Sequence, residues 1–112
     1  MAAAALCYLG GGDAEAICHA AALAIKSLLG LVCDPIAGLV EVPCIKRNGM
    51  YACMAIAAAD LALAGVESFI PPDEVIDAMY QIGCNLPACI RETAEGGLAI
   101  TPTGLKAKRR LF

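Results

Sequence analysis

The sequence predicts an all-α protein, a helical bundle of about five helices. Three observations carry that reading. Apolar residues recur at helical spacing, with Val and Ile scattered rather than alternating. No β-hairpin signal is present. Glycines and prolines fall at intervals of a helix length and punctuate the chain.

Each element has its own signal. Residues 2–9 are strong helix formers, ended by Gly10-Gly11-Gly12. Asp13 suits the cap of a second helix over 14–29, stopped by Gly30. Residues 31–43 (LVCDPIAGLVEVP) hold two prolines and a glycine and read as a structured loop. Pro43 suits the first position of a third helix, running to Ala64 and stopped by Gly65. Within it, residues 49–59 (GMYACMAIAAA) have no polar face, so the helix is expected to be buried on every side. Pro71-Pro72-Asp73-Glu74 opens a fourth helix with acids at the positive end of its dipole, and Gly83 closes it. Pro87 starts a fifth, to Glu95. Residues 98–104 and a basic tail follow, the latter read as a solvated terminus.

Composition narrows the class. The 112 residues include 23 alanines and 11 glycines, and 60% of the chain is hydrophobic against 17% charged, with a mean hydropathy of +0.72. A disordered tail needs the opposite balance. Uncharged stretches such as 1–12 and 48–59 fall short of the roughly 18 residues a spanning helix needs, so no membrane role is expected. A net charge of −3, with few basic residues outside the last seven positions, argues against nucleic acid as a partner. Seven cysteines, an odd number, with no leader pattern at the start, predict reduced thiols and a cytoplasmic location.

Most of these thiols read as small core residues, above all Cys7, Cys18 and Cys53 among alanines. His19, the one histidine, reads as a core or interface residue rather than a base. Cys84 and Cys89 stand at C-x4-C spacing but lack companions for a metal site. The best chemical candidate is Cys33-Asp34-Pro35 followed by Val42-Pro43-Cys44, a C-x10-C pair across a stiff loop. Cys44 falls in the first turn of a helix, where unpaired N–H groups favour a thiolate, and Arg47 lies one turn on. Spacing alone leaves a metal role and two buried thiols both open, because no zinc signature is matched.

The runs CDPIAGLVEVPCIKRN (33–48), ADLALAGVESFIPPDEVIDAM (59–79) and RETAEGGLAITPTG (91–104) resemble the iron–sulfur-dependent L-serine dehydratases. The likeness is to the C-terminal part of their α chain or catalytic domain, and it covers nearly all of residues 1–112. It implies an all-α fold, of which this chain is a fragment, and the conversion of L-serine to pyruvate and ammonia in amino-acid catabolism and gluconeogenesis. It also implies a 4Fe–4S cluster held by three cysteines, two of them matched by Cys33 and Cys44. The third is expected upstream, outside this sequence. The open iron of such a cluster is a Lewis acid.

Lys46, Arg47 and Asn48 are candidates for groups near the substrate, since they follow Cys44 on the same helix start. Arg47 faces either the cluster and substrate anion, or Asp34 or Glu41. Thr101 and Thr103 are candidate hydrogen-bond donors, while Glu92 reads as an ion-pair partner. The resemblance does not identify the base. The tail lacks the terminal cysteine of single-chain members, which points to the two-chain type with a separate β chain. Expected partners are therefore L-serine, that β chain, the N-terminal part of the α chain and further copies in an oligomer. An apolar helix without a polar face predicts exposed apolar surface when the chain stands alone. Two other readings stay open: a related L-cysteine desulfidase-like lyase, and a non-catalytic helical fragment that binds a partner subunit.

Overall fold

The computed structural model describes residues 1–111. Five α-helices follow in order: α1 (Ala2–Leu9), α2 (Ala14–Lys26), α3 (Cys44–Leu63), α4 (Pro72–Asn85) and α5 (Pro102–Leu111). Short 3-10 turns lie at Ile36–Gly38, Ala88–Ile90 and Gly97–Ile100. Among the described residues there is no strand, only an isolated bridge between Cys33 and Arg91. The fold is all-α, as the sequence predicts. No helix among the described residues is long and apolar enough to cross a membrane. Two units are distinguishable, one made of residues 1–29 and 50–84, the other of 30–49 and the chain from Asn85.

The first unit is built on small side chains. Asp13 caps α2, its Oδ1 accepting from the Ala16 N–H at 2.9 Å. α1 ends where the N–H groups of Gly10 and Gly12 donate to Leu6 and Cys7 carbonyls at 2.9 Å, with Gly11 at φ 86°. Ala3 and Cys7 of α1, Ala20 and Leu23 of α2, and Ala58, Ala59 and Ala62 of α3 form one buried cluster. Alanine at most of these contacts lets helices approach closely, at the cost of less apolar area per residue.

A loop is latched onto α2 in the same unit. Lys26 Nζ donates to the Ser68 carbonyl at 2.7 Å, and the Ser68 N–H donates to His19 Nδ1 at 3.2 Å. The buried Ser68 hydroxyl donates to the Ile70 carbonyl at 2.8 Å.

Several expectations need correction. α2 ends at Lys26 rather than residue 29, and the Ser27 hydroxyl bonds back to the Leu23 carbonyl. α3 starts at Cys44, with the Pro43 carbonyl accepting from the Arg47 N–H, and α4 runs through Gly83 to Asn85. The expected helix over 87–95 is a single 3-10 turn, and the fifth helix lies instead in the supposed tail. α3 is not buried all round, because this chain lays packing partners along one stripe only. Met50 and Ile56 are 69% and 51% exposed while Ala58 and Ala59 are buried. Exposed apolar surface is thus present, as expected. Cys18 and Cys53 are exposed, off the stripes that Ala20, Leu23, Ala58 and Ala62 bury; Cys7 alone of that trio is core.

In the second unit, Ile36–Gly38, Gly97–Ile100 and α5 pack on one another. These are the segments that carry the candidate site.

Candidate functional site

Cys33 and Cys44 sit at the two ends of a loop that doubles back on itself. The Ile36 N–H donates to the Val42 carbonyl at 3.0 Å, closing the loop across the turn at Ile36–Gly38. That turn holds Ala37 at φ 57° and Gly38 at φ 75°. Positive φ at a residue with a Cβ is uncommon and persists where surrounding contacts enforce it. The Val42–Pro43 peptide is cis. Both thiols are half-buried.

The Cys33 backbone is clamped on both sides. Its N–H donates to the Ile90 carbonyl at 2.9 Å, and its carbonyl accepts from the Glu92 N–H at 2.8 Å. This pairing consumes the backbone groups that a helix over 87–95 would need, and Glu92 and Ala94 take φ values of 66° and 57°. Burial pushes the Cys33 thiol up from its ordinary pKa. Negative charge on Glu92, Cys44 and Asp34 adds to the rise, and Arg47 opposes it.

Asp34 is the hub of this unit. Only 1% exposed, it accepts from Arg47 Nη1 at 2.6 Å through Oδ1 and from the Leu98 N–H at 2.6 Å through Oδ2. Burial favours its neutral form, but the Leu98 N–H and the Arg47 guanidinium outweigh that, and the carboxyl lies below the ordinary range. Arg47 Nη1 also donates to the Val32 carbonyl at 3.3 Å. Of the alternatives open for Arg47, the pair with Asp34 is formed.

Residues 1–99 match the family model described as serine dehydratase alpha chain. The chain belongs to the serine dehydratase alpha chain family. A probable L-serine dehydratase alpha chain of Bacillus subtilis (strain 168) is 58% identical over 112 residues, all of this chain and 37% of that protein. The L-serine dehydratase alpha chain of Peptoniphilus asaccharolyticus is 53% identical over 109 residues, 97% of this chain and 37% of that protein. L-serine dehydratase 1 of Escherichia coli (strain K12) is 48% identical over 101 residues, 89% and 22% of the two chains. The chain thus spans well under two thirds of the relatives it matches. No solved structure matches it.

Within this serine dehydratase alpha chain sequence, the other candidate residues fall in different settings. Lys46 and Asn48 are exposed on the first turns of α3, flanking Arg47. Thr103 is exposed on α5. The Thr101 hydroxyl is engaged locally, donating to the Leu98 carbonyl at 2.8 Å and accepting from the Gly104 N–H at 3.2 Å. Glu92, expected in an ion pair, forms none among the described residues and acts on Cys33 through its charge. Cys89 is half-buried, Cys84 exposed, and all seven cysteines are free thiols. His19 accepts through Nδ1 while its buried Nε2 has no hydrogen-bond partner and lies 3.9 Å from Glu15 Oε1.

Among the described residues, no group of three or more His, Cys, Asp or Glu side chains is placed to hold a metal ion. The donor set at the loop is two thiols, soft ligands of the kind that iron–sulfur clusters take. They fit as part of a ligand set and are short of a whole one. The spacing and residue types single out the cysteines. Nothing in the sequence marks the Leu98 N–H or Gly97 as partners of Asp34, although the Gly96-Gly97 pair hints at a close backbone approach.

Proposed function

We propose that the chain is the C-terminal portion of an L-serine dehydratase α chain, and that it contributes the Cys33–Cys44 element to a 4Fe–4S site whose third cysteine lies outside residues 1–112. The single observation that supports this best is the loop that carries Cys33 and Cys44 at its two ends and is closed by the Ile36 N–H on the Val42 carbonyl, with Arg47 and Asp34 paired beside them. The names of the relatives, L-serine dehydratase and its alpha chain, supply the reaction: L-serine to pyruvate and ammonia.

When bound, the cluster supplies a Lewis-acidic iron with an open coordination position. The chemistry is loss of the Cα proton and of the β-hydroxyl as water, leaving an enamine that tautomerises and hydrolyses to pyruvate and ammonia. This chain's share is to present two thiols and to place cations near a carboxylate substrate. Lys46 and Arg47, with Asn48 beside them, are the residues we assign to the substrate anion; Thr103 is the hydrogen-bond donor we assign on the neighbouring segment, while the Thr101 hydroxyl gives its proton to the Leu98 carbonyl. A β chain and the rest of the α chain complete the assembly, and a reducing cytoplasm suits seven free thiols.

The test uses the longer α chain with its partner, reconstituted anaerobically with iron and sulfide. The broad visible absorption of an iron–sulfur cluster and serine turnover, both lost in Cys33→Ser and Cys44→Ser, are expected. A band that survives both substitutions overturns the assignment. Serine and cysteine assayed side by side decide between the dehydratase and the desulfidase-like lyase. The exposed Met50 and Ile56 on α3 favour a second, compatible role for the chain in packing against partner subunits.

A further inference from the structure

We infer that Asp34 is a positioning residue that holds Cys33 and Cys44 together as a preformed two-thiol chelate before any metal arrives; this rests on the assignment of those cysteines as ligands. The argument is geometric. Asp34 adjoins Cys33 in the chain, and Arg47 lies three residues beyond Cys44, one helical turn along α3. The 2.6 Å contact between Asp34 Oδ1 and Arg47 Nη1 therefore ties the start of α3 to the segment that carries Cys33. The second oxygen is fixed to the Leu98 N–H at 2.6 Å, so the carboxylate cannot swing to follow Arg47. The Arg47 contact to the Val32 carbonyl adds a tie on the other side of Cys33.

The Cys33 backbone is in turn anchored at Ile90 and Glu92. With one cysteine fixed by its backbone and the helix of the other fixed by the ion pair, little freedom is left in the separation of the two thiols. A chelate assembled in advance saves the conformational entropy that a floppy loop would lose on metal binding. Groups that orient a ligand without touching the metal act in this way, and their removal typically weakens metal affinity by about 10–100-fold.

The sign of the effect separates this role from an electrostatic one. Removing a negative charge beside Cys33 on charge grounds alone eases thiolate formation and tightens metal binding. Loss of positioning weakens it. The probe is Cd2+ added to this chain under reducing, anaerobic conditions, read by thiolate-to-cadmium ultraviolet absorption, with far-ultraviolet circular dichroism as the control for helix content. The wild-type chain is expected to hold one Cd2+ at a site lost in both Cys33→Ser and Cys44→Ser. Asp34→Asn, which can still accept from Leu98 but faces Arg47 with an amide, is expected to weaken that site about 10–100-fold with its helix content kept. Arg47→Lys, which keeps the cation, is the milder variant should Asp34→Asn fail to fold, and it is expected to fall between the two.

Equal or tighter binding in Asp34→Asn overturns the inference, as does equal or tighter binding in a folded Arg47→Lys when Asp34→Asn is unfolded. A wild-type site that survives either cysteine substitution overturns it too. A Cd2+ site that behaves as expected, in a protein whose longer form neither builds a cluster nor turns over serine, defeats the dehydratase assignment while leaving the positioning role in place.

Discussion

The carboxylate of Asp34 fills the space in which a side chain at Gly97 would begin. A Cβ built on Gly97 would collide with Asp34 Oδ2 and lie 2.8 Å from its Cβ, and the Gly97 backbone sits at φ 57°. Gly97→Ala therefore meets two costs: left-handed backbone strain of about 1–2 kcal/mol and displacement of the buried carboxylate from Arg47 and Leu98. Gly11→Ala supplies the comparison, since Gly11 also has positive φ, at 86°, but has open space around it. Urea denaturation is expected to show Gly97→Ala as the more damaging by at least about 1 kcal/mol, the scale of a lost charge-assisted hydrogen bond. Equal losses at both sites contradict the packing described.

Arg47 matters to stability because of what its removal strands. Its side chain is 27% exposed, while that of its partner Asp34 is 2% exposed. Arg47→Met leaves a buried carboxylate without its cation, held only by backbone N–H groups. Breaking one side of a buried pair costs about 3–5 kcal/mol, and the lower end applies here because the arginine reaches solvent. The double variant Arg47→Met/Asp34→Asn removes the stranded charge as well. It is expected to recover part of the loss in chemical denaturation, giving a coupling energy of about 1 kcal/mol or more. Strict additivity argues against a direct pair.

How much of this was readable beforehand divides along local and distant causes. Asp13, Gly10-Gly11-Gly12 and Pro71-Pro72 placed the helices of the first unit because caps and stops act within a turn of themselves. Residues 87–95 misled for the opposite reason. The Ile90 carbonyl and the Glu92 N–H go to Cys33, far away in sequence, and a local propensity for helix loses to that pairing. The helix at α5 does carry a local signal: Thr101 before Pro102 at the first helical position, then Lys108, Arg109 and Arg110 in the last turn, where cations suit the dipole. The C-x10-C pair was visible, but Asp34 as its organiser was not. Its partners are 13 and 64 residues away, and no motif records that.

Acid should test the same carboxylate. Asp34 has its folded-state pKa lowered: burial works against this, and the Leu98 N–H and Arg47 prevail. A group with a depressed folded pKa stabilises above its unfolded value, about 3.9, and that stability is lost as pH falls through the folded value. The contribution is thus fully present at neutral pH and fades only below about pH 4. Asp34→Asn should lower stability by a constant amount from neutral pH down to about pH 5, then converge on wild type in stronger acid. A difference that stays constant through the acid range means the carboxylate is not the titrating group.

The latch in the first unit makes a separate prediction. Ser68 is 1% exposed and is held by Lys26 and His19 from α2 as well as by its own bond to Ile70. Lys26→Met keeps the aliphatic stem and removes the donor to the Ser68 carbonyl, which should cost about 1–2 kcal/mol for a charged donor to a buried acceptor. Because the His19 contact remains, the loop should open more often without the fold being lost. Hydrogen exchange at the Ser68 amide is expected to speed up by about tenfold, the equivalent of about 1.4 kcal/mol. Unchanged exchange shows that Lys26 adds nothing to the latch.

Thr101 carries the prediction that separates architecture from substrate contact. Its hydroxyl joins the Leu98 carbonyl to the Gly104 N–H at the start of α5, the arrangement of an N-terminal cap. Gly104 fits tightly there: a Cβ on it would lie 2.5 Å from the Leu98 carbonyl oxygen and 2.9 Å from that of Ala99. Thr101→Ala should therefore cost about 1 kcal/mol of stability, with Thr101→Ser restoring most of it because the hydroxyl is retained. If the hydroxyl also serves the substrate of the proposed dehydratase, KM for serine in the longer α chain with its partner is expected to rise in Thr101→Ala by more than the stability loss explains, and to fall back in Thr101→Ser. Thr103 is exposed and has no such local duty, so Thr103→Ala should leave stability within about 0.5 kcal/mol of wild type. A KM effect confined to Thr103→Ala assigns Thr101 to the cap alone.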